Sequence, residues 1–190
     1  MRRTVQKHPL SWLDDGVDWW QNRSHERHAL RDRRPSVSEI TPHLLIGEYP
    51  RVEDISWLKE TFDANAIHNL QDDDDLRINA LDIAALRREC EANEIKLVRT
   101  AIQDGSADAM GERLKVALHD LHNLIASGRR VFLHCNAGLN RAPTLAIGYL
   151  RAYGKMSLDE AVAHVKQRRA CGPFMTILED YFGPRHLKPK

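Results

Sequence analysis

Val131-Phe132-Leu133-His134-Cys135-Asn136-Ala137-Gly138-Leu139-Asn140-Arg141-Ala142-Pro143 is the stretch that decides the reading of this chain: an apolar run ends on a cysteine, and an arginine follows six residues later. Val131–His134 has the length and character of a buried strand, and the apolar residues from Leu145 to Leu150 read as a helix behind it. The five residues between, Asn136 to Asn140, must then turn sharply from strand into helix. Such a turn aims backbone N–H groups inward at a helix N-terminus and makes a nest for an anion. Gly138 permits backbone conformations that a side chain forbids, and Ala137 is too small to block an approaching phosphate. Arg141 brings a planar fork of donors that grips two phosphoryl oxygens and keeps its charge at neutral pH. A thiol attacks phosphorus only as thiolate, a form favoured by cations and inward N–H groups. The spacing therefore marks Cys135 as a nucleophile, Asn136, Ala137, Gly138, Leu139, Asn140 and Arg141 as a phosphate cradle, and His134 as a residue that orders the loop. The competing reading is a packing cysteine at a strand end with a surface arginine. It leaves the glycine-containing loop and the helix behind it unexplained.

Composition agrees with a single folded catalytic domain. The chain has 190 residues, 42% hydrophobic and 29% charged, enough for one sizeable core. A formal net charge of +1 gives no reason to expect nucleic acid or a membrane surface as the main partner. Cys90, Cys135 and Cys171 are scattered and form no disulfide framework. Together with a thiolate, they point to the cytoplasm or another reducing compartment. No run approaches the roughly 18 apolar residues of a membrane span, so no integral membrane association is expected. The basic start, Arg2, Arg3 and Lys7, leads into Asp14, Asp15 and Asp18 with no apolar run, and no secretory signal is expected.

Texture divides the chain into an N-terminal extension (1–35), a catalytic domain (36–183) and a short tail (184–190). The extension holds Trp12, Trp19 and Trp20, too many large aromatics for a solvated tail, and a helix around Asp14–Leu30 is expected. Beyond it, Val37–Ile40, Leu44–Ile46, Ala66–Leu70, Lys96–Thr100 and Val131–His134 read as strands. Helices are expected over Val52–Phe62, Leu81–Glu94, Ala109–Ser127 and Arg141–Tyr153. Another runs from the capping box Ser157-Leu158-Asp159-Glu160 to Arg169, and a last one starts near Pro173. Strands alternating with helices give an α/β domain with a central, mostly parallel sheet of about five strands.

Phosphoryl transfer also needs a proton for the leaving oxygen. Asp104 follows the strand Lys96–Thr100 in a polar loop, and strand ends of a parallel sheet converge on one edge, where the cysteine loop also lies. Asp108 is the competitor, with helix capping as its alternative role. The run Asp72-Asp73-Asp74-Asp75 reads as a solvated loop, because consecutive carboxylates point in different directions. None of the ten histidines stands at zinc-ligand spacing, and no metal or other cofactor is implied.

The motif His134-Cys135-x-Ala137-Gly138-Leu139-x-Arg141-Ala142-Pro143 resembles that of a dual-specificity phosphatase of the protein-tyrosine-phosphatase superfamily, closest to the starch-excess and laforin-like glucan phosphatases. Ile46-Gly47, Val52-Glu53-Asp54-Ile55, Asn69-Leu70-Gln71-Asp72 and Arg168-Arg169-x-Cys171-Gly172-Pro173 agree with this, so that the resemblance spans about residues 36–183. It implies the cysteine-phosphatase fold and a two-step reaction through a phosphocysteine on Cys135. Arg141 would bind phosphate, and Asp104 would act as acid and then as base. Most such enzymes carry Ser or Thr after the arginine, whereas this chain has Ala142, as do members with Arg-Ala-Pro. Where glucan phosphatases place sugar-stacking aromatics, it has Ile78-Asn79 and Gly105-Ser106, which leaves Tyr49, Trp57, Phe174 or Trp19-Trp20 to form a different platform. The implied substrate is a phosphorylated glucan or other carbohydrate. The alternatives are a phosphoprotein or a phosphoinositide, and a pseudophosphatase that binds phosphate without turnover. Cys90 and Cys171 read as packing residues, with a redox pairing to Cys135 as the alternative.

Overall fold

The computed structural model describes residues 33–189. The helix expected around Asp14–Leu30 and the three tryptophans near it lie outside the described residues.

Five strands form one sheet: β1 (Val37–Thr41), β2 (Leu44–Gly47), β3 (Ala66–Asn69), β4 (Lys96–Arg99) and β5 (Val131–His134). Their spatial order is β1-β2-β5-β3-β4, with β1 antiparallel to β2 and every other pairing parallel. The strand carrying the cysteine motif is thus central, with neighbours on both sides.

Side chains alternate faces along a strand, and the core divides accordingly. Leu44, Ile46, Ala66, Val131 and Leu133 face one layer, Leu45, Ile67 and Phe132 the other. The first layer contains α4 (Ala107–Ala126), α5 (Arg141–Tyr153), α6 (Leu158–Lys166) and α7 (Met175–Phe182). The second contains α1 (Ile55–Phe62), entered through a 3-10 turn at Val52–Asp54, and α3 (Ile83–Ala92), with Cys90 packed in its core. Ser106, Asp82 and Ser157 each accept backbone N–H bonds that start α4, α3 and α6.

The aspartate run is a correction. Asp72–Asp75 is not a solvated loop: it opens a short helix, α2 (Asp73–Ile78), through a reciprocal capping box between Asp72 and Asp75. Asp73 and Asp74 do face solvent, whereas Asp75 is buried.

The parallel strands all end at one edge, so the segments after Gly47, Asn69, Arg99 and His134 meet there. Backbone bonds knit them together: Tyr49 N donates to Asn136 O at 2.9 Å, Leu70 N to His134 O at 2.9 Å and Ile102 N to Leu70 O at 3.1 Å. A buried polar chain anchors the segment leading to Asp104. Thr100 Oγ1 donates its single proton to Asp120 Oδ2 at 2.7 Å, so His68 Nε2, 2.9 Å away, must donate to Thr100. Burial pushes the His68 pKa down to about 4 against the opposing charge of Asp120.

Candidate active site

Cys135 lies at the C-terminal end of β5 and is buried, 2% exposed. Asn136 to Asn140 turn the chain into α5, which begins at Arg141. Gly138 makes the turn possible, with φ at +66°. A Cβ there would lie 2.5 Å from Gly47 O and 2.6 Å from Arg169 Nη2. The far side of the loop is held by Gly172 N donating to Leu139 O at 2.8 Å and by Asn140 Nδ2 donating to Gly172 O at 2.7 Å.

Arg141 is fully buried at the start of α5. Its Nη1 donates to Asp75 Oδ2 at 2.6 Å, to Ile102 O at 2.7 Å and to Leu70 O at 3.4 Å. Nη2 stands 2.9 Å from Asp104 Oδ1 as an ion contact. Yet Nε and Nη2 have no hydrogen-bond partner, so the contact to Asp104 is close without being aligned. One edge of the guanidinium is therefore anchored, and two buried donors on the other side remain to be satisfied. Burial works against the Arg141 cation, but the charges of Cys135, Asp104 and Asp75 outweigh it and hold its pKa above the usual value.

Asn136 joins the carboxylates. Its Nδ2 donates to Asp75 Oδ1 at 2.5 Å and to Asp104 Oδ2 at 3.2 Å, while its Oδ1 accepts from Gln71 Nε2 at 2.7 Å and Asn79 Nδ2 at 3.2 Å. Asp104 is the most open of these groups, its side chain 32% exposed. His134 lies below the loop, its Nδ1 3.1 Å from Cys135 O. That contact to a carbonyl requires the proton on Nδ1. Burial drives its pKa down to about 3, against this bond, and the ring is neutral near pH 7.

The structure thus brings Cys135, Arg141, Asp104 and the Asn136–Asn140 loop to one sheet edge. Asp108 instead sits exposed in the first turn of α4, whose cap is Ser106. Asp75 and Gln71 are site residues that the sequence reading missed. The usable signal was the pair Asp72-x-x-Asp75, a capping box spelled with two aspartates, which turns the second carboxylate inward. The proposed aromatic platform does not form from Tyr49, which is 1% exposed. Trp57 packs edge-on to Phe62 at 5.3 Å, and Phe174 packs against the core. Cys90 and Cys171 are free thiols, both with pKa pushed up by burial, Cys90 to about 12. Among the described residues no cluster of His, Cys, Asp or Glu could hold a metal ion, and no helix is long and apolar enough to cross a membrane.

Comparison with known proteins fits this geometry. Residues 52–177 match the family model for the dual specificity phosphatase catalytic domain. The phosphoglucan phosphatase DSP4, amyloplastic, of Castanea sativa is 29% identical over 143 residues, 74% of this chain and 38% of the relative. The tyrosine-protein phosphatase vhp-1 of Caenorhabditis elegans is 30% identical over 104 residues, 50% of this chain and 16% of the relative. The chain therefore spans well under half the length of these curated relatives. Among solved structures, Tk-PTP in its active form superposes with a TM-score of 0.65 at 22% identity, covering 77% of this chain and 95% of that one. PTPMT1 gives 0.64 at 17% identity, covering 77% and 94%. At those identities the structures speak for the fold alone, and it is the family match over residues 52–177, the cysteine loop included, that places the chain among the dual specificity phosphatases of the protein-tyrosine-phosphatase superfamily.

Proposed function

We propose that this domain hydrolyses phosphomonoesters through a phosphocysteine on Cys135. The observation that carries the reading is Arg141: a fully buried guanidinium, anchored through Nη1, whose Nε and Nη2 lack hydrogen-bond partners beside the buried cysteine. Leaving buried donors unsatisfied costs about 1–3 kcal/mol each, a cost that two phosphoryl oxygens would remove. In the first step the Cys135 thiolate forms an S–P bond as the ester P–O bond breaks, and Asp104 gives its proton to the leaving oxygen. In the second, Asp104 takes a proton from water, the water oxygen bonds to phosphorus, and the S–P bond breaks. The contact between Arg141 and Asp104 supports this order of events. A phosphoryl dianion arriving at Nε and Nη2 would take the place of the Asp104 carboxylate, and the displaced group, facing the anion, would take up the proton that it then gives to the leaving oxygen.

Phosphorylated glucan or other carbohydrate is the proposed substrate class, supported by the Arg-Ala-Pro ending of the loop and by the phosphoglucan phosphatase relative, which matches 74% of this chain. Phosphoprotein is the second reading. It is favoured by the described residues beside the loop, where Asn79 hydrogen-bonds Asn136 and the exposed Ile78 stands in place of a stacking aromatic. A phosphoinositide is a third, PTPMT1 being a fold neighbour whose structure is known in complex with PI(5)P. Phosphate release from p-nitrophenyl phosphate, a phosphotyrosyl peptide, PI(5)P and phosphorylated amylopectin, measured side by side with Cys135→Ser as control, separates the readings. Preferential release from amylopectin supports the carbohydrate substrate. Release from the peptide and aryl ester alone overturns it in favour of phosphoprotein. Binding of phosphate without turnover of any ester would make the domain a pseudophosphatase.

A further inference from the structure

An anion nest presents N–H groups on its inner side, so its carbonyls must point outward and find partners there. The peptide plane makes this a strict coupling: in a trans peptide C=O and N–H are antiparallel, and whatever holds the oxygen also sets the direction of the hydrogen. In this chain the carbonyls of Ala137 and Gly138 are held by one side chain. Arg169 Nε donates to Gly138 O at 2.6 Å and its Nη2 to Ala137 O at 2.9 Å. The N–H groups of the same two peptide units, those of Leu139 and Gly138, therefore point away from Arg169. Its Nη1 reaches Ser36 Oγ at 3.2 Å, Ser38 Oγ at 3.3 Å and Ile46 O at 3.4 Å, tying the loop to β1 and β2. Arg169 sits in the turn after α6, is only 8% exposed, and its guanidinium charge interacts with that of Cys135.

Resting on the phosphatase reading above, we propose that Arg169 is a positioning residue for phosphoryl transfer, which clamps the loop from behind so that its N–H groups face the phosphoryl oxygens. Arg169 touches neither substrate nor the reacting atoms. Burial lowers its pKa, and the Cys135, Glu48 and Cys171 charges oppose that only in part. The fork matters as much as the charge, because a lysine offers a point charge without the planar pair of donors that spans two successive carbonyls.

Arg169→Lys and Arg169→Met test the clamp. The measurements are tungstate inhibition and KM and kcat for p-nitrophenyl phosphate. Arg169→Met should weaken tungstate by tenfold or more. Arg169→Lys should also weaken tungstate and raise KM, because the fork is lost although the charge is kept. Wild-type tungstate affinity and KM in a folded Arg169→Lys protein would overturn the clamp, even where Arg169→Met fails to fold. Should the wild-type protein neither bind tungstate nor turn over ester, the phosphatase reading itself falls; an active wild type with unaffected variants removes only the role of Arg169.

Discussion

Arg141 and Asp75, 66 residues apart in sequence, meet at 2.6 Å between Nη1 and Oδ2, both side chains closed to solvent. Asp75 is fixed from its own side by the Asp72 capping box and a bond from Asn136, so the arginine is held by a carboxylate that cannot itself swing away. Its remaining donors consequently point in one direction.

Asp75→Asn tests this anchor. Breaking a buried pair from one side leaves an uncompensated charge and costs about 3–5 kcal/mol, so the urea midpoint should fall clearly. A misplaced Arg141 should also lower kcat/KM for p-nitrophenyl phosphate by about 10²-fold. Wild-type kinetics in this variant would show that Arg141 is positioned by its carbonyl contacts alone.

Gly138→Ala should close the nest. The new Cβ would meet Gly47 O at 2.5 Å at a position already at φ +66°, and this backbone has no slack. Isothermal titration with tungstate should register at least a tenfold loss of affinity, whereas an unchanged titration would mean that the loop relaxes freely.

Asp104→Asn removes the proposed acid. The loss should be on the order of 10²–10⁴ in kcat for an alkyl phosphate with a poor leaving group. It should be much smaller for p-nitrophenyl phosphate, whose leaving oxygen needs little help. Equal losses on both esters would assign Asp104 to binding and not to proton transfer.

Stability should fall in acid through two histidines. His68 and His134 titrate near 4 and 3 in the folded protein, below their ordinary value of 6.5. The folded state therefore binds fewer protons than the unfolded one in this window. The stabilisation is whole above pH 6.5 and is lost as pH falls towards 4 for His68 and towards 3 for His134, at up to about 1.4 kcal/mol per pH unit for each. Urea denaturation at pH 7, 5.5 and 4.5 should show a falling midpoint, with a shallower fall in His68→Gln. Equal midpoints at pH 7 and 4.5 would contradict the buried neutral rings.

The cysteine loop was legible because its chemistry is local: strand, turn and helix follow one another in sequence, and α5 runs over Arg141–Tyr153 as the pattern indicates. The strands also fall within a residue of their expected bounds, since the central parallel strands are short runs buried at every residue and stand out from the polar segments around them. Asp75 was hidden because four adjacent aspartates look alike until a helix turns one of them inward. The position of Arg169 was equally invisible as a role, because its two shortest bonds go to the carbonyls of Gly138 and Ala137, and a backbone acceptor leaves no mark in the sequence. Asp104 was read from topology, which says that loops at one sheet edge meet but not which side chain reaches Arg141.

The central claim is that Cys135 carries the phosphoryl group. Its most direct test is acid quenching during turnover of p-nitrophenyl phosphate, followed by peptide mass spectrometry. The account predicts a peptide containing Cys135 heavier by one phosphoryl group, absent from Cys135→Ser together with all phosphate release. Turnover that persists in Cys135→Ser, or a phosphoryl group on any other residue, would contradict it.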